Sequence, residues 1–235
     1  MNTGITFQSE FLGPLLNEEE VDQLWKKIVY EDSDLSYDFH YQMLKAFFKI
    51  DVELFQKVIL DRYLEVTQEE FHLTDFPIIQ PFTEKFITPL QSAKRCYCFG
   101  EFLATLELCA HIAEMLAQLL WESHSVTKGD EPLSRTDEKN IFGNKFEKLS
   151  QSRRLKILLG FNIINNDLKQ TFDTIRKLRN EYYHLWSKEV KDIQLDSQTS
   201  FAEICKLIKD VFEIDLDGDN PSMNAHIFQF IKGHK

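Results

Sequence analysis

Between Ile175 and Trp186 the chain places Arg176, Lys177, Arg179, Asn180, Tyr182, Tyr183, His184 and Trp186 in twelve residues. These side chains suit phosphate-ester chemistry. A histidine titrates near neutrality and can move a proton from a ribose 2′-hydroxyl or to a leaving oxygen. An arginine offers a planar fork to a phosphate and keeps its charge as negative charge builds. Asn180 can hold a phosphate oxygen or orient the imidazole, and the nearby aromatics can stack on bases. None of this needs a metal or another cofactor, and none is expected.

The spacing constrains how the groups meet. Neither Gly nor Pro occurs from Phe161 to Asp217, so the stretch lies on a helix. Residues five apart on a helix differ in direction by about 140°, which separates Arg179 from His184. Asn180 and His184, four apart, share a face. Arg176 and Tyr183 line up with them roughly, and Arg179 reaches in from the flank. A kink near Tyr182 or Tyr183, or a second copy of the helix across a dimer axis, closes the gap and favours a site built by two subunits. Arg179, Asn180 and His184 are therefore the candidate catalytic set. Arg176, Lys177, Tyr183, Arg153 and Arg154 are candidate substrate-binding residues. A plainer alternative stands beside this: Arg179 pairs with an acid such as Glu107 or Glu114, and His184 closes a polar helix interface.

Charge bears on the same choice. The net charge of −11 over 235 residues opposes casual binding to nucleic acid. Residues 144–191 are the exception, with 11 Lys/Arg against 5 Asp/Glu. They are a local anion site inside an acidic protein, or a chance cluster on a solvated face. With 43% hydrophobic residues and 20 Phe, material for a core is ample. No run approaches the ~20 apolar residues expected of a membrane helix, and the start of the chain lacks a signal-peptide pattern. The expectation is a cytoplasmic chain without a membrane partner. Cys109 and Cys205 fall at apolar helical positions and Cys96-x-Cys98 has no matching second pair, so buried thiols are expected rather than a metal site.

Gly and Pro are also absent from Leu15 to Phe76, and the fold class is all-α. Helices are expected after Asn17, over about 37–48, and after Asp51, the last with Val52, Phe55, Val58, Ile59 and Leu64 inward. Prolines at 77 and 81 break the pattern. An acidic N-terminal helical region, 1–93, is expected to precede a helical bundle over 94–215 and a tail, 216–235, with one short helix. The bundle opens with a long helix from about Lys94 to His124, striped by Phe99, Phe102, Leu103, Leu106, Cys109, Ala113, Leu116 and Leu120. Glu107, His111 and Glu114 share parts of another face, but a di-iron bundle needs Glu-x-x-His from two helices. A polar loop is expected over Ser125–Gly143, then a helix over about 144–159. The motif helix starts near Asn165, with Leu168, Phe172, Ile175, Leu178, Tyr182 and Leu185 or Trp186 on its buried stripe. After a polar break near 192–199, Ser200 with Glu203 suggests a capping box for the last bundle helix. Asp215 to Asn220 is an acidic turn rather than a calcium loop. Gly-rich phosphate loops, Gly-x-Ser-x-Gly elbows and His-Glu-x-x-His motifs are absent.

Arg179-Asn180-Glu181-Tyr182-Tyr183-His184 resembles the Arg-Asn-x-x-x-His form of the HEPN-domain motif. The order around it is similar too: a long apolar helix, a loop, a shorter helix, then the motif on a long helix. The resemblance covers about residues 94–215. It implies an up-and-down helical bundle that dimerises through the motif helix. In active members it implies metal-independent RNA cleavage by residues matching Arg179, Asn180 and His184, often in prokaryotic stress, toxin–antitoxin or phage-defence systems. The partners it implies are a second copy, RNA or a nucleotide, and for a toxin its antitoxin. Other members are dimerising or nucleotide-binding modules without shown activity. Trp186 stands where one toxin subgroup carries a modified Tyr, so that regulation is not expected here.

Overall fold

The computed structural model describes residues 52–70, 83–124, 126–128, 131–183, 192–212 and 224–233. Among them are eight α-helices and one hairpin of two-residue strands, so the chain is an all-α helical bundle protein. It divides into two compact units, Met1–Asp61 and Arg62–Lys235. The helices expected after Asn17 and over 37–48, the Pro77–Pro81 segment and the Asp215–Asn220 turn lie outside the described residues.

Helix α1 spans Val52–Glu70. In the first unit its Phe55, Val58 and Ile59 are half-buried. In the second unit Val66 is fully buried, whereas Leu64, expected inward, is 55% exposed. Two residues are about 200° of helix, so burying Val66 turns Leu64 outward. Arg62 and Glu65 fasten this end of α1: Arg62 Nη1 donates to the Cys98 carbonyl at 3.3 Å, and Tyr97 Oη donates to Glu65 Oε2 at 2.6 Å. Burial and the Glu65 carboxylate both push the Tyr97 phenol well above its ordinary pKa.

The long helix expected from Lys94 is two helices. A π-helical turn, Thr83–Ile87, leads into α2, Thr88–Phe99, and α3 runs from Phe102 to Ser123. Gly100 breaks them with a φ of 84°. Its N–H donates to the Tyr97 carbonyl at 3.0 Å and the Glu101 N–H to the Cys96 carbonyl at 2.8 Å, the Schellman pattern that satisfies helix-end carbonyls. The break splits the expected apolar stripe. Phe99 and Leu103 are exposed, while Leu106, Cys109, Ala113, Leu116 and Leu120 are buried as expected.

Helix α3 is the axis of the bundle. It is long and apolar enough, by length and composition, to cross a membrane, which the sequence reading did not anticipate. Here α2, α5 (Gln151–Gly160), α6 (Asn166–Tyr183), α7 (Ile193–Phe212) and α8 (Ala225–Gly233) pack around it. Small residues on α3, Cys109, Ala110, Ala113 and Ala117, let neighbouring backbones approach. Helix α7 answers with buried Ser197 and Ser200. This overturns the expected break at 192–199: Ser200 lies inside α7 and does not cap it. Within the helix, hydroxyls of this polar stretch turn back on their own backbone, Ser197 Oγ to the Gln194 carbonyl at 2.8 Å and Thr199 Oγ1 to that of Leu195 at 2.9 Å. Cys109 and Cys205 are buried and in no disulfide, and burial pushes the Cys109 thiol up to about 12.

The stretch expected to be a loop after α3 contains regular elements. Strands Thr127–Lys128 and Glu131–Pro132 pair antiparallel. Helix α4, Arg135–Phe142, then starts from a capping box of Ser134 and Asp137. A 3-10 turn, Phe146–Lys148, precedes α5. Trp121 ties these pieces to α3: its ring stacks on Phe146 at 4.6 Å, and its Nε1–H donates to Glu138 Oε1 at 2.8 Å.

A Cβ at Gly100 would lie 2.9 Å from Arg62 Nη1, on top of the strain of a left-handed φ. Gly100→Ala is expected to lower unfolding stability by about 1–2 kcal/mol in urea denaturation. A variant as stable as wild type would show that the α2–α3 elbow does not depend on this turn.

Candidate functional site

Helix α6 is set by both its ends and its apolar stripe. Asn165 Oδ1 accepts the Leu168 N–H at 2.8 Å, capping the first turn. Phe172 and Ile175 are fully buried, Tyr182 nearly so, and Leu168 and Leu178 half-buried. Toward the other end, Tyr182 Oη donates to Asp196 Oδ2 at 2.5 Å, joining α6 to the first turns of α7. Burial and the Asp196 carboxylate push this phenol up to about 12.

The polar face of α6 carries two sets of charges. In the first, Lys169 Nζ lies 2.5 Å from Asp173 Oδ2, and Arg176 donates from Nε and Nη2 to Asp173 Oδ1 at 3.1 and 3.0 Å. Burial opposes ionisation of Asp173, but its hydrogen bonds with the two cations outweigh that and hold the carboxyl below the ordinary aspartate range. In the second, Arg179 Nη2 donates to Glu114 Oε1 at 3.2 Å, its Nε lies 3.6 Å from Glu107 Oε2, and its Nη1 donates to Asn180 Oδ1 at 3.3 Å. Glu107 and Glu114, seven residues apart, sit two turns apart on one face of α3. They straddle the guanidinium.

The alternative pairing anticipated for Arg179 is thus the observed one in this chain, with both acids rather than one. The side chains are not sealed off, at 27% exposure for Arg179, 52% for Glu107 and 36% for Glu114. The gap among Glu114, Gln151, Arg176 and Arg179 encloses about 10 Å³. That is room for at most one water, not for a base or sugar.

The other basic candidates separate. Arg153 donates from Nη2 to the Phe142 carbonyl at 2.7 Å, at the end of α4. Arg154 donates from Nε to the Phe146 carbonyl at 3.2 Å and from Nη2 to that of Glu147. Both hold the turn before α5 in place. Lys177 is exposed, as are Lys148 and Lys156. Much of the positive charge of the basic block is matched by internal acids and carbonyls. Tyr183 ends α6, but its side chain and all of His184 lie outside the described residues. The structure therefore brings Arg179 and Asn180 together and leaves the third member of the expected set undescribed.

Two acids were missed by the sequence reading. Asp173 had a readable signal, lying four residues after Lys169 and three before Arg176. Asp196 had none, because its approach to Tyr182 depends on how α7 docks. Among the described residues, no group of three or more His, Cys, Asp or Glu could hold a metal. Comparison of the chain with family models, curated proteins and solved structures yields no match.

Two measurements check this electrostatic picture. Arg179→Ala and Glu114→Gln should each cost about 1 kcal/mol or less, and the double variant less than their sum. Strict additivity in denaturation would mean that the pair is not formed. The Asp173 carboxyl is held below the 3.8 of an isolated aspartate, so its contribution is present above that value and lost as pH falls through the lower folded value. Asp173→Asn should therefore be less stable than wild type at pH 7, with the gap closing in acid below pH 3.8. A gap independent of pH would refute the assignment.

Proposed function

We propose that the chain is a HEPN-like helical-bundle module that associates with a second copy through the polar face of α6, without cutting RNA. The observation that carries this reading is the engagement of Arg179 by Glu107 and Glu114. A phosphate approaching Arg179 would have to displace two carboxylates and overcome their repulsion. A second protein face meets no such obstacle. Charges already paired within a subunit can be covered without leaving a bare cation, which is the main penalty for burying polar helix faces. Lys169, Asp173 and Arg176 extend the same compensated strip along the helix. Light scattering of the purified protein at micromolar concentration should give twice the chain mass, falling toward the monomer in Arg179→Ala. A wild-type protein that stays monomeric rules this reading out.

The second reading is metal-independent RNA cleavage in the cytoplasm of a prokaryote, in stress response or defence, with an antitoxin as partner where the chain acts as a toxin. Arg179, Asn180 and His184 would be its catalytic set, with Lys177 and neighbouring cations on the RNA. The partial exposure of Arg179 beside Asn180 and the exposed Lys177 favour it. Incubating RNA with the protein in EDTA decides. Cleavage by wild type and its loss in His184→Ala would establish this reading over the first, and intact RNA after long incubation would remove it.

A further inference from the structure

The motif helix is not the only candidate site. At the C-terminal end of α3 a cleft of about 400 Å³ opens between that helix, the β-hairpin, α4, the turn before α5, and α8. None of the residues lining it touches the small gap at Arg179. Its volume lies at the lower end of the range for small-molecule sites, roughly 300–1,000 Å³.

One wall is apolar and held in place. Trp121 is fixed by its stack on Phe146 and its hydrogen bond to Glu138, and edge contacts with Phe142 and Phe161 complete the cluster. Leu133 and Phe230 continue that wall. Glu138 is occupied: its second oxygen accepts the Phe146 N–H at 3.1 Å. The remaining charged groups are Arg135, Lys145, Glu122 and Glu147. Lys145 and Glu147 stand 3.9 Å apart, a loose pair, and Glu122 accepts from Gln118 Nε2 at 2.7 Å.

With Glu138, whose partners are neutral N–H groups, the lining holds two cations and three carboxylates, so both signs face any ligand that enters. A phosphate would bring Arg135 and Lys145 a partner but force Glu122 and Glu147 against an anion, and a simple amine would do the reverse. Only a ligand carrying both signs matches all four groups. The apolar wall asks for a large apolar side chain on the same molecule. We infer that this cleft binds a small zwitterion, an apolar amino acid or a dipeptide, with its carboxylate toward Arg135 and Lys145, its ammonium toward Glu122 and Glu147, and its side chain on the Trp121–Leu133–Phe230 wall. This does not depend on what the α6 face does.

Saturation-transfer NMR with L-phenylalanine and with the dipeptide Phe-Leu tests it on the full chain. At least one should give a signal that identifies the source. Arg135→Gln and Glu122→Gln, both at exposed positions, should each weaken binding tenfold or more with an unchanged circular-dichroism spectrum. N-acetyl-phenylalanine amide, which keeps the ring and loses both charges, should bind at least tenfold more weakly. Silence from both zwitterions overturns the inference, as does equal binding of the capped compound or displacement of the zwitterion by inorganic phosphate at lower concentration.

Discussion

The structure depends on the burial of α3. Leu106, Ile112, Leu116 and Leu120 lie on it at nearly zero exposure, with Cys109, Ala113 and Ala117 filling the narrow places between. A helix apolar on so much of its circumference is unstable in water unless other helices surround it. That demand places α2, α5, α6, α7 and α8. Burying a Leu or Ile is worth roughly 2 kcal/mol each, and several such side chains outweigh any single ion pair at the surface. The polar contacts therefore select register and orientation, while the apolar contacts supply the stability.

The acids of α3 belong to the same account. Glu107 and Glu114 sit where α3 emerges from its neighbours, and the helix beside them, α6, presents Arg179. The packing that buries Phe172 and Ile175 against α3 also delivers the guanidinium to the two carboxylates. A catalytic arginine would have to leave them at some cost, whereas an interface arginine can stay. This is why the geometry of one side chain shifts the weight from phosphate chemistry toward association.

Two stretches of α3 are served differently. Near Arg179, charges are matched within the chain and the space between them is closed. Near Trp121, an aromatic wall is rigid and the space beside it is open. The hairpin and α4, in a stretch that composition alone marks as a loop, create that opening. Trp121 shows how: its indole holds Glu138 and Phe146 through two different interactions, and so fixes a segment with little apolar surface of its own.

The sequence by itself determined the helical class, the buried stripe of α6, the burial of Cys109 and Cys205 and the start of α6 at Asn165. Each rests on local periodicity or on a cap that spans only three or four residues. The division of the long helix at Gly100 was also written in the sequence, but a helix-period stripe running across it masked the signal. Tertiary structure alone decided the rest. Ser197 and Ser200 are buried within α7, which packs on α3, and no window of polar residues reveals that burial. Asp196 meets Tyr182 across two helices. Arg179 had two readable futures, a phosphate or an acid, and sequence spacing within α6 could not choose between them. The acid it meets lies on α3, sixty-five residues away, and only the packing of one helix on the other brings the two together.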